Sequence, residues 1–120
     1  MVQLTPQTRI FLATEPVDFR KGIDGLGAVC RQRLGQNPLE GAVYVFRNRS
    51  GTALKLLLYD GQGFWLCHKR LSTGRFRYWP SGRNDDTSAV LLAHELSVLL
   101  SGGDFEKAKG APEWHRVRQA

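Results

Sequence analysis

Cysteine is scarce: only Cys30 and Cys67 occur in 120 residues. They stand far apart and form no C-x-x-C pair, so neither a disulfide framework nor a zinc finger is supported, and both read as reduced thiols. No apolar run approaches the ~20 residues of a membrane-spanning helix. Met1 to Ile10 carries no apolar core of the secretion-signal kind. A cytoplasmic protein without membrane contact is the expectation. Internal repeats and low-complexity blocks are also missing. What remains has 42% hydrophobic and 23% charged residues, a globular balance.

Acid is scarce in one region. Residues 41–83 hold eight Lys and Arg against a single acid, Asp60, whereas the whole chain has 17 basic and 11 acidic residues and a net charge of +6. The middle of the chain therefore carries more than the entire surplus. A polyanion, whether nucleic acid or an acidic protein face, should meet that segment first.

The same segment reads as sheet. Ala42 to Phe46, Ala53 to Tyr59, Phe64 to Arg70 and Arg75 to Trp79 are rich in β-branched, aromatic and leucine residues, and turn-forming residues separate them. Such short connections make neighbours antiparallel. Arg9 to Thr14 adds a short strand. A helix follows Pro16 and runs to about Leu34, with Ile23, Leu26, Cys30 and Leu34 on one face and either Asp18 or Asp24 as its cap. A second starts at Thr87 or Ser88, with Asp85 and Asp86 near its positive end. It buries Leu92, Leu96, Leu99 and Leu100 and stops at Gly102 and Gly103. The expected fold is α+β: an antiparallel meander of four to five strands with two helices packed on one face. Residues 1–103 form a single domain and 104–120 a polar tail, with Trp114 as a docking anchor.

One register is informative. Pairing Asp60 with Phe64 sets Lys55 opposite Lys69, Leu57 opposite Cys67 and Tyr59 opposite Trp65. Pairing Lys69 with Arg77 then sets Cys67 opposite Trp79. Period-two alternation gathers Lys55, Lys69, Arg77, Tyr59, Trp65 and Trp79 on one face. Opposed like charges destabilise a sheet, and an overlying anion relieves them. Rings beside cations suit base stacking. Arg47, Arg49, Arg70, Arg75 and Arg83 add charge at edges and loops, and Arg20 and Lys21 could reach a phosphate. The bland alternative keeps the cations as edge protection, the tryptophans as packing, Asp18 as a cap and Arg20 in an internal ion pair.

Chemistry is harder to find. His68, His94 and His115 lack partners at metal spacing, and Cys67 and His68 point to opposite faces. Gly61-Gln-Gly63 precedes a strand and is no phosphate loop. Asp18, Asp24 and Asp60 could in principle assemble a two-metal nuclease site, but three acids drawn from eleven are easy to find by chance.

Several words in the chain are distinctive: Asp18-Phe-Arg-Lys-Gly-Ile-Asp-Gly-Leu26, Val45-Phe-Arg-Asn-Arg-Ser-Gly51, Leu54 to Leu66, Lys69-Arg-Leu, Gly74-Arg-Phe and Trp79-Pro80. They resemble the second-reading-frame accessory proteins, TnpB, of insertion sequence family sixty-six elements, which are distinct from the RNA-guided nucleases sharing that name. The resemblance runs from about Thr8 to Leu100. Leu58-Tyr59 stands where the family has an aromatic pair, and Glu95-Leu with Leu99 to Gly103 resembles one branch.

The resemblance implies a role in DNA transposition beside a separate, larger transposase encoded by the same element. It implies no catalytic residue, metal or cofactor. The charge pattern makes Arg20, Lys21, Arg47, Arg49, Lys55, Tyr59, Trp65, Lys69, Arg70, Arg75, Arg77 and Trp79 the candidate nucleic-acid contacts, with DNA as the expected partner. The competing roles are an adaptor whose basic face meets an acidic patch on the transposase, and the three-aspartate nuclease.

Overall fold

The computed structural model describes residue 5, residues 7–80 and residues 87–101. The expected tail with Trp114, together with Arg83, Asp85, Asp86, Gly102, Gly103 and His115, lies outside the described residues. The elements are β1 (Ile10–Ala13), α1 (Ile23–Gln32), a 3₁₀ turn (Pro38–Glu40), β2 (Val43–Arg47), β3 (Ala53–Tyr59), β4 (Phe64–Arg70), β5 (Ser88–Leu91) and α2 (Ala93–Leu100). The five strands form one sheet in the order β4-β3-β2-β1-β5.

The fold is α+β, but the sheet is mixed. β2, β3 and β4 make the antiparallel meander that their short turns dictate. β1 instead pairs parallel to β2, with Ile10 opposite Val43. A parallel pair needs a crossover, and the stretch containing α1 supplies it.

Three elements depart from the sequence reading. Residues 16–22 are loop, and α1 begins only at Ile23, with Gly22 as N-cap and no side-chain cap. Asp18 is therefore not the cap: its Oδ1 accepts the Arg20 N–H at 2.9 Å in a local turn. Asp24 lies inside the first turn, where a carboxylate suits the helix dipole. Ile23 is exposed, while Leu26, Val29, Cys30 and Leu34 are buried.

Residues 75–79 form no strand. Phe76 is buried, its N–H bonded to the Gly51 carbonyl at 2.8 Å, and the Trp79 indole donates to the Ala13 carbonyl at 2.9 Å. The segment folds back across the sheet, because its rings gain more from burial than from extending an edge. β4 consequently ends the sheet.

The expected start of the second helix is β5, antiparallel to β1 with Ile10 opposite Leu91. The helix starts at Ala93, where the Glu95 side chain accepts the Leu92 N–H at 2.7 Å. Leu92 lies outside the buried stripe and is exposed; Leu96, Val98 and Leu99 are buried.

The core has two halves. Ile10, Leu12, Val43, Val45 and Leu91 cluster with Leu96, Val98 and Leu99 of α2. Ala13, Tyr44, Phe46 and Leu57 cluster with Leu26, Val29 and Cys30 of α1. These strand residues alternate along β1 and β2, so the two groups occupy opposite faces. The helices thus cover opposite faces, and the single covered face expected from sequence is not found.

Candidate nucleic-acid interface

The β3–β4 turn decides the fate of the proposed aromatic face. Asp60 Oδ1 accepts the N–H groups of Gln62 and Gly63 at 2.9 and 3.0 Å, and Gly61 takes φ 97°. These bonds draw Asp60 into the turn and hold its carboxyl below the usual range. The loop is therefore one residue longer than expected. Tyr59 pairs with Phe64, Lys55 with His68, Leu57 with Leu66, and Leu54 with Lys69. A one-residue slip exchanges faces along a strand. Lys55 and Tyr59 share the face of α1, while Trp65, Cys67 and Lys69 share that of α2. The six side chains drawn from the expected register do not form one surface.

Lys55 is also not available to a ligand. It is 7% exposed. Its ammonium donates to the Phe19 and Lys21 carbonyls at 2.9 and 3.0 Å and lies 4.9 Å from the centre of the Phe19 ring. A buried cation is tolerable because carbonyl oxygens and a ring face replace its water. It pins the loop between β1 and α1 to the sheet.

The remaining candidates divide. Arg47 is half-buried, lies 5.5 Å from the centre of the Trp79 ring and donates to the Thr14 carbonyl at 3.1 Å. Its Nε is buried with no hydrogen-bond partner among the described residues, and burial lowers its proton affinity. Arg47 and Trp79 therefore join the β1 end to the 75–79 segment. Lys69 is exposed along its stem, but its ammonium bonds the Leu100 carbonyl at the end of α2. Tyr59 bonds the Gly61 carbonyl, and Trp65, 42% exposed, donates to Asp60 Oδ2 at 2.7 Å. These two rings lie at the β3–β4 turn, at the other end of β4 from Lys69 and Arg70.

Arg20, Lys21, Arg49, Arg70, Arg75 and Arg77 are exposed, and the segments that carry them meet at an end of the sheet rather than on a face. Three segments meet there. Val17 N–H bonds the Arg47 carbonyl at 3.0 Å, joining the β1–α1 loop to the end of β2. Leu71 N–H bonds the Thr52 carbonyl at 2.9 Å and Phe76 N–H bonds the Gly51 carbonyl at 2.8 Å, joining the chain after β4 to the β2–β3 turn. That turn is fixed by Asn48, whose Oδ1 accepts from Thr52 N and Ala53 N, and by Gly51 at φ 73°. Residues 47–55 and 70–77 contain six cations and no acid.

The loop contributes two acids, Glu15 and Asp18, and both are matched: Arg33 Nη2 lies 2.9 Å from Glu15 Oε2. Arg20 Nη2 lies 2.7 Å from Asp18 Oδ2, and Arg20 holds the Asp18 carboxyl at about 2 through its side-chain and backbone hydrogen bonds. A cleft of about 280 Å³ opens beside this pair, lined by Pro16, Val17, Asp18, Phe19, Asn48 and Arg49. Neither the cleft nor its Pro16, Val17 and Phe19 wall was foreseen. The one hint was Phe19 itself, an aromatic residue standing among charged neighbours.

The three-aspartate site is not assembled. Asp60 stands five residues beyond Lys55 along β3, roughly 17 Å at the usual rise per strand residue, while Lys55 touches the loop that holds Asp18. Among the described residues no three His, Cys, Asp or Glu are grouped to hold a metal ion. Among them, too, no helix is long and apolar enough to cross a membrane.

The structure thus defines a small mixed α+β domain with a cationic sheet end. Residues 8–110 match the model of the IS66 Orf2-like proteins, and the chain belongs to that family of insertion-sequence accessory proteins. It is 42% identical over 97 residues to the uncharacterised protein y4hO of Sinorhizobium fredii, spanning 81% of this chain and 82% of that one. It is 36% identical over 104 residues to y4jC of the same organism, spanning 87% and 86%. No solved structure matches it.

Proposed function

We propose that the protein is a non-enzymatic accessory subunit of insertion-sequence transposition that binds DNA through the cationic end of its sheet and assists a separate transposase of the same element. Family membership supports the transposition role. The observation that carries the DNA reading is the placement of Arg49, Arg70, Arg75 and Arg77, with Arg20 and Lys21, on three hydrogen-bonded segments whose two acids, Glu15 and Asp18, are already paired. Main-chain ties hold together the segments that carry these cations, and a polyphosphate relieves the repulsion within such a set. Arg47 and Lys55 act underneath as supports.

The test is a titration with element-end DNA and a scrambled duplex across a salt series, with and without the transposase. Neutralising about six phosphates gives a slope of log K against log salt near −5. A flat salt response would overturn the reading. An adaptor acting without DNA would instead retain the transposase after nuclease treatment and show no binding to either duplex.

A further inference from the structure

The cleft between the β1–α1 loop and the β2–β3 turn differs in chemistry from the cationic surface around it. Pro16, Val17 and Phe19 line it beside the polar Asp18, Asn48 and Arg49, so its wall is part carbon and part polar. A phosphate path alone does not require carbon in its wall. At about 280 Å³ it is close to the small end of ligand sites, with room for one flat organic ring. The loop wall is held in place by Lys55 through Phe19 and Lys21, and the turn wall by Asn48 through Thr52 and Ala53. Both walls are therefore preformed.

The geometry points to an unpaired nucleotide as the occupant: its base enters the cleft against the Pro16–Phe19 wall, and its phosphate lies on Arg49. The inference rests on the proposed DNA-binding role and narrows it to single-stranded or unwound DNA. Charge complementarity selects the occupant, since a free apolar ring would leave Arg49 without a counter-ion while a nucleotide supplies one. A paired base is shielded within its stack, so only an unpaired one can enter.

The measurement compares three probes with the full chain at one salt concentration: a twelve-residue oligothymidylate, the same backbone with three central abasic positions, and the oligothymidylate annealed to its complement. Stacking of one base is worth about tenfold in affinity. The proposal expects the oligothymidylate to bind roughly tenfold more tightly than the abasic strand, with the Val17 methyl and Phe19 ring resonances shifting only for the former. Arg49→Ala should weaken the oligothymidylate and abasic strands alike. Equal affinity for the intact and abasic strands, or tighter binding of the duplex without Val17 and Phe19 shifts, would overturn the cleft assignment while leaving the sheet-end reading standing. Failure of all three probes to bind would overturn both.

Discussion

Lys55 donates a hydrogen bond to the carbonyl of Phe19 at 2.9 Å and places the same ammonium 4.9 Å from the centre of the Phe19 ring. One buried cation thus grips both the main chain and the side chain of the loop that forms a wall of the cleft. The positive charge of this lysine serves the shape of the site rather than contact with a ligand.

Lys55→Met should therefore lower stability. It leaves the Phe19 and Lys21 carbonyls without their donor, at a cost of about 1–3 kcal/mol for a lost buried partner. Urea unfolding should show a lower midpoint at an unchanged m-value. An unchanged midpoint would show that the loop does not depend on this lysine.

The Asp18–Arg20 pair makes a pH prediction. The Asp18 carboxyl sits at about 2 instead of 3.8. A depressed carboxyl contributes its interaction above 3.8 and loses it as pH falls through about 2. Carbon-detected titration should find the Asp18 midpoint near 2, and Arg20→Ala should return it towards 3.8. From pH 5 to 8 the pair should not titrate.

The two cysteines should differ in reactivity. Cys30 is fully buried in the α1 cluster, and burial pushes its thiol up to about 12. A thiol held protonated is a poor nucleophile. An alkylating reagent at pH 8 should modify Cys67, which is partly exposed, well before Cys30, and should reach Cys30 only on unfolding.

Trp79→Phe should cost about 1 kcal/mol, because it removes the indole donor to the Ala13 carbonyl and weakens the ring beneath Arg47. Thermal unfolding would register it. Full stability in this variant would mean that the indole hydrogen bond does not help to hold the 75–79 segment.

Much of the fold was legible in the sequence. β2, β3 and β4 announced themselves through β-branched, leucine and aromatic runs, and the charge surplus of the middle segment was a matter of counting. The register was not legible, because it turned on whether Asp60 opened the loop or closed the strand, and its side chain bonds to Gln62 and Gly63 decided this. Lys55 looked like a surface cation, though it shares a face with the buried Leu57. Residues 75–79 had strand composition, yet Phe76 and Trp79 had apolar surface to cover. The β5 strand was hidden because Ala89-Val-Leu-Leu92 suits helix and strand alike, and only pairing with β1 settles it. The candidate site was legible as a set of cations and not as a place: its members meet through Gly51, Thr52 and Arg47 main-chain bonds that no alternation pattern encodes.

The most direct test of the account removes equal charge from two places. Arg75 packs against Gly51, two residues after Arg49, where a β-carbon would lie 3.9 Å from Arg75 Cβ. Arg9 and Arg31 are exposed elsewhere. Element-end DNA binding is measured across a salt series for Arg49→Ala/Arg75→Ala and for Arg9→Ala/Arg31→Ala. The account predicts that the first pair weakens binding at least tenfold and makes the salt slope shallower by about two, one for each lost phosphate contact, while the second changes affinity less than threefold. Equal losses in the two variants would mean that net charge alone governs binding, and would contradict a docking surface at the end of the sheet.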